Sequence, residues 1–348
     1  MYKNQYRVKT PLTLTLITAL GISAVFFSKE ISDGIFKGMC FCAEILAPSI
    51  FPFMIISAIT ANSNLSFSGK TINNISNSVF GLSAKSLFAV ILGISGGYPV
   101  GAVGISSLYR KGVISGKEAA KASYIAVGAG PGFLITFVGI RLLNSAEIGA
   151  VLFTAQIISV IILGIINRIV FGKENFNSRK EINISDKSGN VFIKSVRSAV
   201  YSLIEMCAVV CVFSAAVSIA EARLFYNDYI SVLLEITTAC YKLSESSNVI
   251  LIAFAAGFGG LSVHFQIFGA LGDIKINKPL FFLYRIIQGI TTAFITYLFI
   301  RLFNITVPVF SSVKGNFTLG LSGSALGSCL LILTGICFLY SLKTKRED

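Results

Sequence analysis

The sequence predicts an all-α, polytopic membrane protein made of two inverted repeats with broken or re-entrant helices, and three observations lead there. The mean hydropathy is +0.78 and 54% of the residues are hydrophobic against 13% charged, too little polar side chain to cover a water-soluble surface. Apolar runs of roughly 17 to 30 residues recur along the chain, and each spans a hydrocarbon core of about 30 Å at about 1.5 Å per residue. Two of the runs are interrupted in mid-course by glycine-rich segments, Gly93-Ile94-Ser95-Gly96-Gly97-Tyr98-Pro99-Val100-Gly101 and Gly257-Phe258-Gly259-Gly260. Glycine loosens a helix, and proline removes a donor and clashes with the preceding turn. Broken backbone at membrane depth persists only where it is buried in protein or lines a wet cavity, as it does at a transport site.

The elements follow in order, eight to ten apolar runs in all. Lys3, Arg7 and Lys9 precede the run 12–27, which has no small-x-small cleavage site after it and reads as a retained first span with a cytoplasmic N-terminus. The run 34–61 carries Pro48 and Pro52, four apart, and should kink. The polar stretch 62–78 reads as interfacial or loop. The glycine-broken run 79–109 ends at Arg110 and Lys111, and because the span before it returns the chain to the cytoplasm, its break reads as the tip of a re-entrant hairpin. The run 119–142 is interrupted by Gly128-Ala129-Gly130-Pro131-Gly132, and 148–171 is an uninterrupted span. The lysine- and arginine-bearing stretch 172–190 divides a first membrane half (1–171) from a second (191–348) and reads as a cytoplasmic linker. The second half repeats the plan with runs at 191–220, 226–243, 249–271, 281–303 and 319–342. Gly93–Gly97 and Gly257–Gly260 are the parts expected to correspond, meeting near the bilayer midplane.

The formal charge of +13 is spread between apolar runs, which reads as membrane topology and excludes a nucleic-acid patch. The seven cysteines have no paired ligand spacing, and one histidine with scattered acids makes no metal set, so no metal or cofactor is expected. No Walker-type phosphate loop and no nucleophile–base pair appear, so the chain is not expected to be an enzyme. The costly polar groups inside apolar runs are the site candidates. Glu235 stands beside Thr237 and Thr238, and Glu205 stands in a run of its own. His264, the single histidine, shares a helical face with Ser262 and Gln266, and its imidazole offers a proton switch near neutral pH. Arg141 and Arg285 lie towards run ends and are expected to snorkel. The expected substrate-binding set is Ser95, Gly96, Gly97, Tyr98, Pro99, Gly130, Pro131, Glu235, Thr237, Gly259, Gly260, Ser262, His264 and Gln266, with backbone amides at half-helix N-termini as anion ligands.

The segments Pro48-Ser49-Ile50-Phe51-Pro52-Phe53, Ser95-Gly96-Gly97-Tyr98-Pro99-Val100-Gly101-Ala102, Leu234-Glu235-Ile236-Thr237 and Gly259-Gly260-Leu261-Ser262-Val263-His264-Phe265-Gln266 together resemble the YlbJ family of sporulation integral membrane proteins. That family belongs with nucleoside-recognition (Gate) domain proteins and is similar to concentrative nucleoside transporters. The resemblance implies a role in endospore formation, with dipicolinic acid moved across a membrane around the developing spore. The chain is therefore expected to be a multi-pass cell-membrane or forespore-membrane transporter or facilitator of a small, planar, anionic solute, in contact with lipid and not with nucleic acid. A nucleoside-like solute, a non-transporting scaffold in spore formation and a homo-oligomeric state stay open.

Overall fold

The computed structural model describes residues 15, 18, 21–22, 25–62, 70–172, 191–223 and 228–306. Most of the first expected span, the linker from 173 to 190 and the last run, 319–342, lie outside the described residues. The described residues all lie within one compact unit, Met1–Val309.

Helix α1 (Ser28–Phe41) passes through a π-turn (Cys42–Leu46) into α2 (Ala47–Asn62), so that Ser28–Thr60 forms one apolar span of 33 residues. Pro48 has no N–H, which frees the Glu44 carbonyl four residues before it, and Arg141 donates to that oxygen from Nη1 at 3.0 Å. The proline pair thus produces a π-turn with a borrowed donor inside a continuous span. The polar stretch after it contains an amphipathic helix, α3 (Lys70–Phe80), which turns by 72° into α4 (Ala84–Gly96).

Helices α4 and α5 (Tyr98–Arg110) fold back on each other about Gly97, whose φ of +90° is open to glycine and strained for other residues. A Cβ on Gly93 would lie 2.9 Å from the Gly101 Cα, and one on Gly104 would lie 3.3 Å from the Ala89 Cβ, so the arms are antiparallel and in contact. Each arm has 13 residues, roughly two-thirds of a membrane thickness. The pair is therefore a re-entrant hairpin. Next, α6 (Gly116–Ser123) runs inward, unwinds over 124–130 and resumes as the π-helical α7 (Gly132–Leu142), after which α8 (Ala146–Phe171) crosses.

In the second half α9 (Val191–Arg223) is followed by a second hairpin, α10 (Asp228–Leu234) and α11 (Ile236–Glu245), joined at Glu235. Its two ends, Asp228 and Glu245, line one surface cleft. Helices α12 (Val249–Phe258) and α13 (Gly260–Leu271) make one span broken at Gly259, with φ +88°, and α14 (Lys278–Leu302) closes the described part. The order long helix, short hairpin, interrupted helix pair, long helix thus occurs twice. In this order Gly97, a hairpin tip, stands where Glu235 stands in the second half, and Gly259 stands where the unwound 124–130 stands in the first, a pairing other than the one expected between the two glycine clusters. Both glycine clusters reflect positive φ, which is shared by hairpin tips and mid-span breaks and so cannot tell them apart.

Five described helices are long and apolar enough to cross a membrane, or six if the bent α3–α4 pair counts as one. This is fewer than the eight to ten runs in the sequence, because hairpin arms and half-helices are apolar but short. Ile161, Ile165, Ile169, Ile290 and Phe294 are exposed on α8 and α14, as a lipid-facing surface requires. At one end of the bundle Gly81 packs on Arg168, Glu118 accepts from the Ser83 amide at 3.0 Å, and the Asn277 amide donates to the Tyr124 hydroxyl at 3.1 Å. Lys85, Lys117, Lys121, Arg168, Lys275 and Lys278 stand on or beside these segments, a basic excess of the kind the positive-inside rule associates with a cytoplasmic face.

Candidate functional site

Every break exposes backbone groups that a helix would have paired, and in lipid each needs a partner. The carbonyl ends of α6 and α12 are closed by side chains. Tyr98 donates its hydroxyl to the Ala256 oxygen at 2.7 Å, tying the first hairpin tip to α12. His264 donates from Nε2 to the Phe258 oxygen at 2.9 Å. Arg285 donates from Nη1 to the Val127 oxygen at 2.9 Å and from Nη2 to the Tyr124 oxygen, and Gln288 adds a bond to the Val127 oxygen at 3.1 Å.

The amide ends are treated differently. At α11 the Glu235 carboxylate accepts from the Thr237 amide at 2.9 Å and from the Thr238 amide at 2.6 Å, one oxygen each. The first turns of α5, α7 and α13 have no side-chain cap. All four of these N-terminal turns line one cavity, through Gly97 and Pro99, Gly132 and Phe133, Glu235 and Thr237, and Ser262 and Val263. Leu46, Ile50 and Phe53 from the first span and Met206 and Val210 from α9 form its apolar wall. Glu235 is the single charged residue of the lining, which contains no lysine or arginine. The Ser262 hydroxyl is fully buried and has no hydrogen-bond partner among the described residues. The space in the cavity that can hold the centre of a water molecule is about 30 Å³. That is room for one or two waters, so the cavity is a narrow, partly open slot.

Of the residues expected from sequence, Ser95, Gly96, Gly97, Tyr98, Pro99, Gly130, Glu235, Thr237, Ser262 and Gln266 meet at this cavity, and Pro131, Gly259, Gly260 and His264 do not. Gly259 and Gly260 form the turn behind it, with Gly260 against the Leu234 oxygen and the Glu235 amide. His264 is turned away. Its ring is fully buried, edge-on to Phe258, Phe281 and Phe282 at 4.9, 5.5 and 4.9 Å, because the broken end of α12 needs a donor and the imidazole is the group in reach. Glu235 engages the helix end beside it, through the Thr237 and Thr238 amides.

Arg285 departs furthest from expectation. It does not snorkel to an interface: it is fully buried, and two free carbonyls at the end of α6 hold its guanidinium. Arg141 stays exposed, and Glu205 lies on the outward face of α9, away from the cavity. Sequence reasoning missed Arg285, Gln288 and the apolar wall. The spacing Arg285-x-x-Gln288 in an apolar run, which sets both on one helical face, was the available signal.

No family model matches the chain. No solved structure matches it either. The sporulation integral membrane protein YlbJ of Bacillus subtilis (strain 168) is 21% identical over 336 aligned residues, which cover 83% of this chain and 82% of that protein. This similarity runs through most of both chains and supports a relationship to the YlbJ family.

Proposed function

We propose that the protein is a membrane transporter or facilitator of a small, planar solute bearing negative charge, acting in spore formation. The observation that carries this reading is the convergence of three uncapped half-helix N-termini on one cavity between two hairpins. Each such end favours an anion by about 0.3 to 1 kcal/mol when exposed and by about 2 kcal/mol when partly buried. The carbonyl ends of α6 and α12, which would repel an anion, are closed by donors from the protein. A slot between apolar walls suits a flat ring, and the repeated order of elements fits two inverted halves that open the cavity to either side in turn. The narrow slot is then one state of the cycle, and loading requires a hairpin or the apolar wall to part.

The sporulation role comes from the similarity to YlbJ. Dipicolinic acid, a flat ring with two carboxylates, is the candidate solute that the family resemblance implies. A nucleoside-like solute is the second reading. It is favoured by Glu235 and Gln266, which offer acceptors to sugar hydroxyls from the same lining. The test is deletion of the gene in its spore-forming host. Spores that lack dipicolinate while its synthesis continues support the first reading, and normal accumulation removes it.

A further inference from the structure

The unwound segment 124–130 brings Gly130 to the cavity, and what holds the segment is visible on both flanks. On one flank the Ala126 oxygen is seated between hairpin glycines: a Cβ on Gly93 or Gly101 would lie 2.7 or 2.1 Å from it. At its far end Gly130 packs on the hairpin tip, where an added Cβ would stand 3.0 Å from the Gly97 amide. On the other flank Arg285 and Gln288 of α14 bind the Tyr124 and Val127 oxygens. Arg285 is 0% exposed and no carboxylate lies within ion-pair distance of it among the described residues. A buried cation without a counter-ion is costly, and here its charge faces the negative end of a helix dipole. The planar fork also meets two carbonyls at once, a geometry a lysine ammonium cannot reproduce.

We propose that Arg285, assisted by Gln288, is a positioning residue of the solute site: it never touches the cavity, and it fixes the place of Gly130 and, through Ala126, of the first hairpin tip. The solute site itself rests on the function proposed above, so the test has one arm that is independent of transport. Hydrogen–deuterium exchange is measured on the full-length protein in lipid nanodiscs for wild type, Arg285→Lys, Gln288→Met and the surface control Arg301→Lys. Arg285→Lys is expected to speed exchange in 124–134 and 93–101 by about tenfold or more while α8 and α9 stay as in wild type, with a smaller change of the same pattern in Gln288→Met. The second arm is uptake of labelled dipicolinate into proteoliposomes, where Arg285→Lys should raise KM about tenfold with a smaller change in maximal rate. Unchanged local exchange overturns the proposal, as does loosening spread over the whole bundle, which would make Arg285 an ordinary stability residue. If Arg285→Lys does not fold, Gln288→Met decides by the same criterion. Local softening with no dipicolinate uptake in any variant, wild type included, keeps the positioning role and removes the transport reading.

Discussion

Replacing Glu235 by glutamine tests the electrostatics of the cavity, because it should move two measurements in opposite directions. The carboxylate is fully buried and closes the α11 N-terminus with two amide bonds, at 2.9 and 2.6 Å. A glutamine has one acceptor oxygen for these two amides and turns its own NH2 towards the other, so one buried amide loses its partner. The cost is about 1 to 3 kcal/mol of stability. The same substitution removes the single formal charge of the lining. A solute carboxylate held about 6 Å from Glu235 is repelled by about 3 kcal/mol at an effective dielectric of about 20. Removing that repulsion should tighten anion binding about 100-fold. Thermal unfolding of the purified variant reads the first effect, and equilibrium binding of labelled dipicolinate at pH 7 reads the second. A less stable protein that binds the anion no better, or worse, would refute the placement of Glu235 against the solute, and an unchanged melting temperature would refute the cap.

Other substitutions probe the backbone arrangement. Gly101→Ala should prevent accumulation of folded protein, since its Cβ would stand 2.1 Å from the Ala126 oxygen, whereas Gly116→Ala, with its nearest neighbour at 3.5 Å, should be tolerated; yield and monodispersity in detergent separate the two. Tyr98→Phe leaves the Ala256 oxygen unpaired and should lower stability by about 1 to 3 kcal/mol, measured by thermal unfolding. His264→Ala should lower stability through the lost cap on Phe258, but its uptake should keep the wild-type pH profile because the ring lies outside the cavity; a profile displaced in this variant contradicts that placement.

How far the site was legible in the sequence depended on what each break is made of. Gly97 and Gly259 announce themselves, because positive φ favours glycine and each stands in a cluster of glycines, Gly96-Gly97 and Gly257-Phe258-Gly259-Gly260. The second hairpin was hidden for the opposite reason. Its tip is an extended Glu235, with φ −148°, a conformation any residue adopts, so Leu233-Leu234-Glu235-Ile236-Thr237-Thr238 reads as one short helix carrying a buried acid. The side chain was rightly singled out as polar in an apolar run, but its role as an N-cap follows only from the break. Arg285 and His264 were obscured in a related way. What they bind are carbonyls far away in sequence or freed by a turn, and the demand for a donor is created by tertiary structure. Hydropathy saw the apolar runs and could not distinguish a 13-residue hairpin arm from half of a longer span, since both are uniformly apolar.

The central claim is that the four N-terminal turns surround a solute path. The most direct measurement is uptake of labelled dipicolinate and labelled uridine into proteoliposomes holding the full-length protein, compared with a Val210→Trp variant whose bulk should fill the slot from the α9 wall. The account predicts saturable uptake of at least one of these solutes by the wild-type protein and its loss in a Val210→Trp protein that still folds. No saturable uptake of either solute, or uptake indifferent to the tryptophan, would contradict it.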